Sequence, residues 1–208
     1  MTAAATSCDD CSCIVIAGGR SRRMGRAKAA LPFGGTSMLE HVVARVAPLV
    51  REVLVVAAAD QELPTMPVRL LRDRLRGEGP LPALALALAA SATPWAFTLG
   101  CDTPFVREGV LRLLRRAATG ATGAIPRWSG RLQPLVAIYA RALAPAIDGL
   151  VARGERRMQT VADLEGLRIV EADEIAPYDP EGASFRSLNT PEEYAAALRM
   201  LDRGAADG

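Results

Sequence analysis

Glycines and cations crowd a short segment near the start of the chain, residues 16–28, which reads Ile-Ala-Gly-Gly-Arg-Ser-Arg-Arg-Met-Gly-Arg-Ala-Lys. Its three glycines let backbone amides approach an anion closely, and its five cations can neutralise linked phosphates. The spacing matches neither the P-loop pattern nor the dinucleotide-binding glycine pattern. The segment therefore indicates a cradle for a triphosphate. An ordinary turn with solvated arginines is the alternative.

A second candidate group is Asp102, which directly follows an apolar, strand-like run at residues 95–99. A carboxylate at the carboxyl end of a strand is well placed to hold Mg²⁺ beside bound phosphates. Because Asp also caps helices and Thr103-Pro104 can open one, an N-cap for the next helix is the alternative. Cys101 is expected to be a small packing residue, since phosphoryl transfer needs no thiol.

Histidine and cysteine offer little further chemistry. The only histidine, His41, falls in a helical pattern, and Cys8, Cys11 and Cys13 lack the second Cys/His pair of a zinc site. Cysteines so crowded do not form a secreted disulfide framework, so we expect a cytoplasmic protein. The net charge is only +2 and residues of both signs are interspersed, which argues against nucleic acid as a partner. No uncharged apolar run reaches about 18 residues, which argues against a membrane.

Alternating elements must position these residues. Short β-branched runs alternate with amphipathic helical patterns, which predicts strand-helix-strand units around a mostly parallel sheet. The predicted strands cover residues 13–17, 51–57, 68–71 and 95–99. Ser37 and Glu40 have the spacing of a capping box for a helix that ends at about Ala47, and Thr190 begins a helix that continues to about Arg203.

The middle of the chain has a different pattern. Residues 121–126 and 132–139 are strand-like runs around the turn-prone Ser129-Gly130, which predicts a hairpin-like insertion. No repeat or linker divides the chain, so we expect one α/β domain over residues 1–208. Its two ends, residues 1–10 and 204–208, lack hydrophobic periodicity and are expected to be disordered tails.

The glycine-rich segment resembles the opening signature L-A-G-G-x-S-x-R-M-G-x-D-K of the molybdenum cofactor guanylyltransferases, the MobA-like nucleotidyltransferase family. The resemblance extends over about residues 13–197, through motifs at residues 79–81, 101–105, 133–135, 154–157 and 185–192. It implies a three-layer, Rossmann-like nucleotidyltransferase fold with a mostly parallel central sheet and a small hairpin insertion.

The resemblance also implies an activity: transfer of GMP from GTP to the terminal phosphate of molybdopterin, with Mg²⁺ as cofactor. The Ala-Gly-Gly form is typical of guanylyltransferases, whereas physical reasoning alone indicates only a nucleoside triphosphate. GTP and molybdopterin are then the substrates, and molybdenum-insertion proteins and molybdoenzyme chaperones are candidate partners.

Site residues follow from the same resemblance. It assigns catalysis to Arg23, Lys28 and Asp102, with Asp102 as the metal ligand. The nucleotide-binding residues it implies are Ile16, Ala17, Gly18, Gly19, Arg20, Lys28, Asp73 and Asp102. The acceptor-binding residues it implies are Arg131, Gln133, Arg156, Arg157 and Asn189. The planar guanidinium of arginine suits a phosphate, but Arg153, Arg156 and Arg157 flank Gly154 and could instead complement the C-terminus of a helix.

Two rival functions stay open at this point. One is a related nucleotidyltransferase that acts on another phosphorylated acceptor. The other is a non-catalytic nucleotide- or cofactor-binding accessory protein, because Ala27 replaces the acidic residue of the signature and Ser187 replaces one of two asparagines in the last motif.

Overall fold

A mostly parallel β-sheet dominates the computed structural model, which describes residues 8–17, 28–73 and 79–206. The strands are β1 (Cys8–Ile16), β2 (Pro32–Phe33), β3 (Thr36–Ser37), β4 (Val50–Ala58), β5 (Arg69–Asp73), β6 (Trp95–Gly100), β7 (Gly123–Trp128), β8 (Arg131–Leu132), β9 (Val136–Ala140) and β10 (Leu167–Val170). The main sheet has the order β10-β7-β9-β6-β1-β4-β5, with β8 paired to β7, and β2 and β3 form a separate two-stranded sheet.

Six α-helices accompany the strands in the described ranges: α1 (Met38–Val46), α2 (Pro80–Ala90), α3 (Glu108–Ala117), α4 (Ala144–Ala152), α5 (Ala172–Ile175) and α6 (Pro191–Ala206). None of these helices is long and apolar enough to cross a membrane. The capping box before α1 is confirmed, because Ser37 Oγ accepts from Glu40 N at 3.2 Å and Glu40 Oε2 accepts from Ser37 N at 2.8 Å. Thr190 Oγ1 likewise accepts from Glu193 N at 3.2 Å before α6.

The predicted hairpin is confirmed around Ser129 and Gly130, whose φ angles of 50° and 73° suit a tight turn between β7 and β8. After this hairpin, β9 enters the main sheet antiparallel between β6 and β7. Four of its five residues are buried, which explains why so apolar a run joins the centre of the sheet.

Both predicted tails are partly wrong. β1 begins at Cys8, so residues 8–10 belong to the sheet, where the Asp10 carboxylate forms an ion pair with Arg115 of α3. Backbone pairing and this ion pair extend the strand beyond the hydrophobic pattern that predicted it. At the other end, α6 continues to Ala206, so residues 204–206 are helical.

The two faces of the sheet bury different helices, as β1 shows. Cys11, Cys13 and Val15 belong to a core cluster with α1 and α3, whereas Ile14 and Ile16 belong to a cluster with α2 and α4. A fully buried leucine or isoleucine contributes about 1.5–3 kcal/mol, so these faces hold the three layers together.

A smaller third cluster joins the two ends of the chain. Leu31, Phe33 and Met38 pack with Leu188 and Ala197, of which the last belongs to α6. This contact brings the segment before α6 next to the segment that begins at Lys28. The fold therefore places the last sequence motif beside Lys28.

Candidate active site

The site lies where neighbouring parallel strands end at one edge of the sheet. Ile16, the last residue of β1, pairs in register with Gly100, the last residue of β6. Cys101 N donates to Ile16 O at 3.1 Å and Ala17 N donates to Val56 O at 2.8 Å. The end of β1 is therefore fixed beside the residues that follow β6. The predicted residues Gly18, Gly19, Arg20 and Arg23 lie outside the described residues.

Asp102 follows β6 in a tight turn. Thr103 Oγ1 donates to Gly100 O at 2.8 Å, and a Cβ on Gly100 would lie 2.5 Å from Asp102 Oδ1, so a side chain there would displace the carboxylate. The carboxylate is 20% exposed. The N-cap alternative for Asp102 is wrong, because α3 begins at Glu108 with Arg107 in the capping position.

Lys28 connects Asp102 to the last motif of the chain. Its Nζ lies 2.7 Å from Asp102 Oδ2 and 2.7 Å from Asn189 Oδ1. The Lys28 side chain is 20% exposed, so water and ligands reach the ammonium. Residues that the sequence assigned to the nucleotide and to the acceptor thus meet directly at Lys28 and Asn189.

Beside this ion pair the surface opens into a cleft of two adjoining cavities. The first has a volume of about 570 Å³ and is lined by Asp102, Gln133, Arg156 and Arg157. The second, of about 660 Å³, shares Gln133 and adds Arg131 and Asn189. All five residues predicted to bind the acceptor therefore line this cleft, and Asp102 lines its first cavity.

The two arginines that end the acceptor group have different partners. Arg156 Nη1 donates to Val151 O near the end of α4 at 2.7 Å, and also to Glu155 O at 2.8 Å. Arg157 is 76% exposed, with its Nη2 3.2 Å from Glu155 Oε2. Hydrogen bonds from the side chain and backbone of Arg157 and from Arg156 N lower the pKa of Glu155 to about 2. Of the three arginines in the helix alternative, Arg153 caps α4 through its backbone N–H and Arg156 contacts the last turn of α4 through its side chain.

Backbone contact holds this turn against the start of α2. Gly79 has a φ of +89°, and a Cβ there would lie 2.8 Å from Arg156 O. Any other residue would be strained in that conformation and would push the two segments apart. Gly79 thereby allows the turn carrying Arg156 and Arg157 to form one wall of the cleft.

Asp73 lies apart from this cleft. It ends β5, the edge strand, and the strand order puts three strand spacings between it and β6. At about 4.8 Å per spacing, that is roughly 14 Å from the Asp102 side. The structure thus leaves Asp73 at the same edge of the sheet but does not bring it to the ion pair.

Two structural features escaped the sequence analysis. Gln61 Nε2 donates to Ala17 O at 3.0 Å, and Arg72 Nη1 donates to Gln61 O at 2.6 Å, which together fix the start of the glycine-rich segment. Trp128 and Phe185 stack with ring centroids 5.7 Å apart, and Phe185 lines both cavities. No local pattern signals the Gln61 contact, whereas Phe185 belongs to the last sequence motif.

Histidine and cysteine lie outside this chemistry. His41 packs with its ring centroid 4.8 Å from that of Phe33, and burial lowers its pKa. Cys101 is buried, and burial raises the pKa of its thiol to about 12. Burial also raises the pKa of Cys11 and Cys13. These thiols are therefore protonated at neutral pH and act as packing residues.

A family model and the curated relatives indicate the same family. A model of the MobA-like NTP transferase domain matches residues 13–168. The chain is 40% identical over 193 residues to a Mycobacterium marinum protein named "Probable molybdenum cofactor guanylyltransferase", covering 89% of this chain and 92% of the relative.

Solved structures share the fold. Molybdopterin-guanine dinucleotide biosynthesis protein A from Archaeoglobus fulgidus superposes with a TM-score of 0.78 at 22% identity, covering 92% of this chain and 99% of that one. A Mycobacterium tuberculosis protein in complex with manganese superposes with a TM-score of 0.65 at 17% identity, covering 91% of this chain and 98% of that one.

Proposed function

Because this chain belongs to the MobA-like NTP transferase domain family, we propose that it transfers GMP from GTP to the terminal phosphate of molybdopterin. The products are the guanine dinucleotide cofactor and pyrophosphate. One observation carries the proposal: Asp102, paired with Lys28, also lines the cleft that holds Gln133 and Arg157. A triphosphate at the ion pair and an acceptor in the cleft would meet at this carboxylate.

The chemistry needs little beyond positioning. An oxygen of the acceptor phosphate attacks the α-phosphorus of GTP and forms a new P–O bond. The bond from the α-phosphorus to the bridging oxygen breaks, and its electron pair leaves with pyrophosphate. A phosphate monoester with a second pKa of about 6 is largely dianionic at neutral pH, so this attack requires no general base. The chain's only histidine, His41, lies in α1 and packs against Phe33, which agrees with a mechanism that needs no histidine base.

Asp102 is proposed to hold Mg²⁺. Within the described ranges, no group of three or more His, Cys, Asp or Glu side chains could hold a metal ion. Mg²⁺ commonly takes one or two carboxylates and completes its shell with substrate phosphates and water, so a single exposed carboxylate fits it. The manganese complex of a protein with this fold supports a divalent ion. Bound there, the metal would stabilise charge that develops on the phosphates.

The side chains of this chain supply charge and orientation. Lys28 would turn its ammonium from Asp102 to the β- and γ-phosphates, and Arg23 is proposed to assist it as pyrophosphate leaves. Ile16, Ala17, Gly18, Gly19 and Arg20 are proposed to bind the phosphates, and Asp73 the guanine or ribose edge. Gln133, Arg131, Arg156, Arg157 and Asn189 would orient the acceptor.

A reducing, cytoplasmic location and a single nucleotidyltransferase domain complete the proposal. The cysteines in the described part of the chain, Cys8, Cys11, Cys13 and Cys101, are all free thiols, which suits a reducing compartment. Molybdenum-insertion proteins and molybdoenzyme chaperones are the proposed partners.

Product analysis tests the function and its rivals together. The purified protein is incubated with Mg²⁺, molybdopterin and either GTP or CTP, and the dinucleotide and pyrophosphate are quantified. We expect both products with GTP and little of either with CTP. Equal use of CTP would contradict the guanine assignment, and transfer only to a sugar or polyol phosphate would favour the related nucleotidyltransferase. Nucleotide binding without pyrophosphate release would favour the accessory protein.

A further inference from the structure

Asp179 is a carboxylate that the proposed reaction does not use, although its side chain is completely buried. Oδ1 accepts from Ala183 N at 3.0 Å, and Oδ2 accepts from Ser184 N at 2.7 Å. Arg107 Nε lies 3.1 Å from Oδ1 and provides the opposite charge. A buried carboxylate is stable only with such partners, so Asp179 and these three donors hold one another in place.

The turn that Asp179 organises is fixed from two further directions. Arg107 N donates to Ser184 Oγ at 3.0 Å, which ties the turn to the start of α3. Gly182 has a φ of +62°, and a Cβ there would lie 2.1 Å from Trp128 Nε1, so the indole packs directly on the backbone. The turn is therefore held by contacts with Asp179, Arg107 and Trp128.

From this turn the chain enters the cleft directly. Phe185 and Ser187 line the first cavity, and Leu188 N donates to Asp102 O at 3.0 Å. Asn189 Oδ1 accepts from Lys28 Nζ, while Asn189 N donates to Glu193 Oε2 at 2.6 Å at the start of α6. The segment 185–189 is thus anchored by α6 at one end and by Asp179 at the other.

We propose that Asp179 is a positioning residue for the acceptor: it holds residues 183–189 in register so that Phe185 and Asn189 face the pterin and its phosphate. This inference rests on the proposed function. Asp179 touches neither substrate, and its effect passes through the backbone amides of Ala183 and Ser184. A role limited to folding would destabilise the protein without distinguishing the acceptor from the nucleotide.

Asp179→Asn is the test. The amide keeps the volume of the carboxyl group, but its NH₂ group must face one of the N–H donors that the carboxylate accepts from. Ser12→Ala is the matched control, because Ser12 is equally buried but bonds Glu52, Ser91 and Thr93 about 13 Å along β1 from Ile16. Arg107→Ala is a second variant: it removes the charge that faces Asp179 but keeps the backbone donors of Ala183 and Ser184.

Two measurements are made on each variant: steady-state kinetics with both substrates, and hydrogen exchange of the backbone amides. In Asp179→Asn we expect faster exchange over residues 183–188 and a loss of about tenfold or more in kcat/KM for molybdopterin, because small misplacements are costly. The KM for GTP should stay within about twofold, since Lys28 keeps Asp102 as a partner. Arg107→Ala should change both readouts in the same direction, and Ser12→Ala should change neither.

Unchanged exchange over residues 183–188 in both Asp179→Asn and Arg107→Ala would overturn the positioning role. Equal losses for GTP and molybdopterin, or an acceptor kcat/KM that matches the wild type, would overturn it as well. Failure of the proposed function is seen separately, as absent GMP transfer by the wild-type protein. The exchange measurement decides whether Asp179 holds the segment even in that case.

Discussion

Lys28 and Asp102 neutralise each other at the end of β6, with 2.7 Å between Nζ and Oδ2. Both side chains are partly exposed, so the pair is screened by water and can open when a stronger partner arrives. A magnesium triphosphate offers each residue such a partner, phosphate for the ammonium and the metal for the carboxylate. In the proposed reaction, this ion pair therefore keeps the two charges neutralised until the magnesium triphosphate binds.

Asp102→Asn should reduce GMP transfer by about a hundredfold or more, since electrostatic groups at the reacting phosphate contribute at least that much. The amide keeps the shape of the carboxylate, and Leu188 N still has the backbone oxygen of residue 102 as acceptor. Circular dichroism and the thermal midpoint should match the wild type. Steady-state kinetics with excess Mg²⁺ measure the effect, and undiminished turnover would exclude Asp102 as the metal ligand.

The turn after α4 separates two roles that look alike in the sequence. Arg156 donates to Val151 O in the last turn of α4, whereas Arg157 is largely exposed and pairs with Glu155. Cations at a helix C-terminus and donors to its last carbonyls stabilise the helix. Exposed arginines, in contrast, remain available to a phosphate. The two arginines should therefore contribute to different properties of the protein.

Single substitutions test this division. Arg156→Ala should lower the free energy of unfolding by about 0.5–1.5 kcal/mol, the usual net value of a hydrogen bond, with a smaller effect on kinetics. Arg157→Ala should leave the unfolding midpoint nearly unchanged but lower kcat/KM for molybdopterin by about tenfold or more, because hydrogen bonds to charged groups contribute about 1.5–3 kcal/mol.

Urea denaturation and acceptor kinetics are measured on both variants. If Arg157→Ala is destabilised yet kinetically normal, then Arg157 serves the turn and not the acceptor. If both variants lose acceptor kinetics equally, the division between them is wrong.

Elements with strong local signals were predictable, because their signals need no knowledge of the tertiary structure. The Ser37 capping box and the Ser129-Gly130 turn are examples, and each depends on residues adjacent or three apart. The start of β1 was not predictable, since Asp10 is accommodated by Arg115, 105 residues away. The insertion of β9 between β6 and β7 was likewise not predictable, because it depends on pairing with two strands that are distant from one another in the chain.

The candidate site divides in the same way. Gln133, Arg157 and Asn189 line the cleft and belong to short motifs, and the family resemblance of those motifs implied that they act together. Gln61 and Asp179 belong to no such motif. They act on segments whose backbone positions are defined only after folding, and some of their partners are distant in the chain: Ala17 lies 44 residues from Gln61, and Asp179 pairs with Arg107 of another element.

Across the chain, binding at the edge of the sheet joins parts that are distant in sequence. The turn after β6 and the segment before α6 meet at Lys28, and the end of β1 is bonded to Cys101 in that turn. The third core cluster ties α6 to residues 31–38. A ligand that contacts all three parts stabilises the folded chain as a unit, because it binds the folded state alone.

GTP with Mg²⁺ should therefore raise the thermal midpoint, and by more than CTP or GMP does. At a free ligand concentration a hundred times Kd, the folded state gains about 2.7 kcal/mol. For a chain of 208 residues, each kcal/mol corresponds to roughly 2–4 °C, so the midpoint should rise by about 5–10 °C. GMP lacks the β- and γ-phosphates that Lys28 is proposed to meet, and its shift should be smaller.

Scanning calorimetry with each nucleotide measures these shifts, and Lys28→Ala is the matched variant. The difference between GTP and GMP should shrink in that variant. Equal shifts with GTP and CTP would show that the base is not recognised, and a GTP shift that Lys28→Ala leaves intact would place the triphosphate elsewhere.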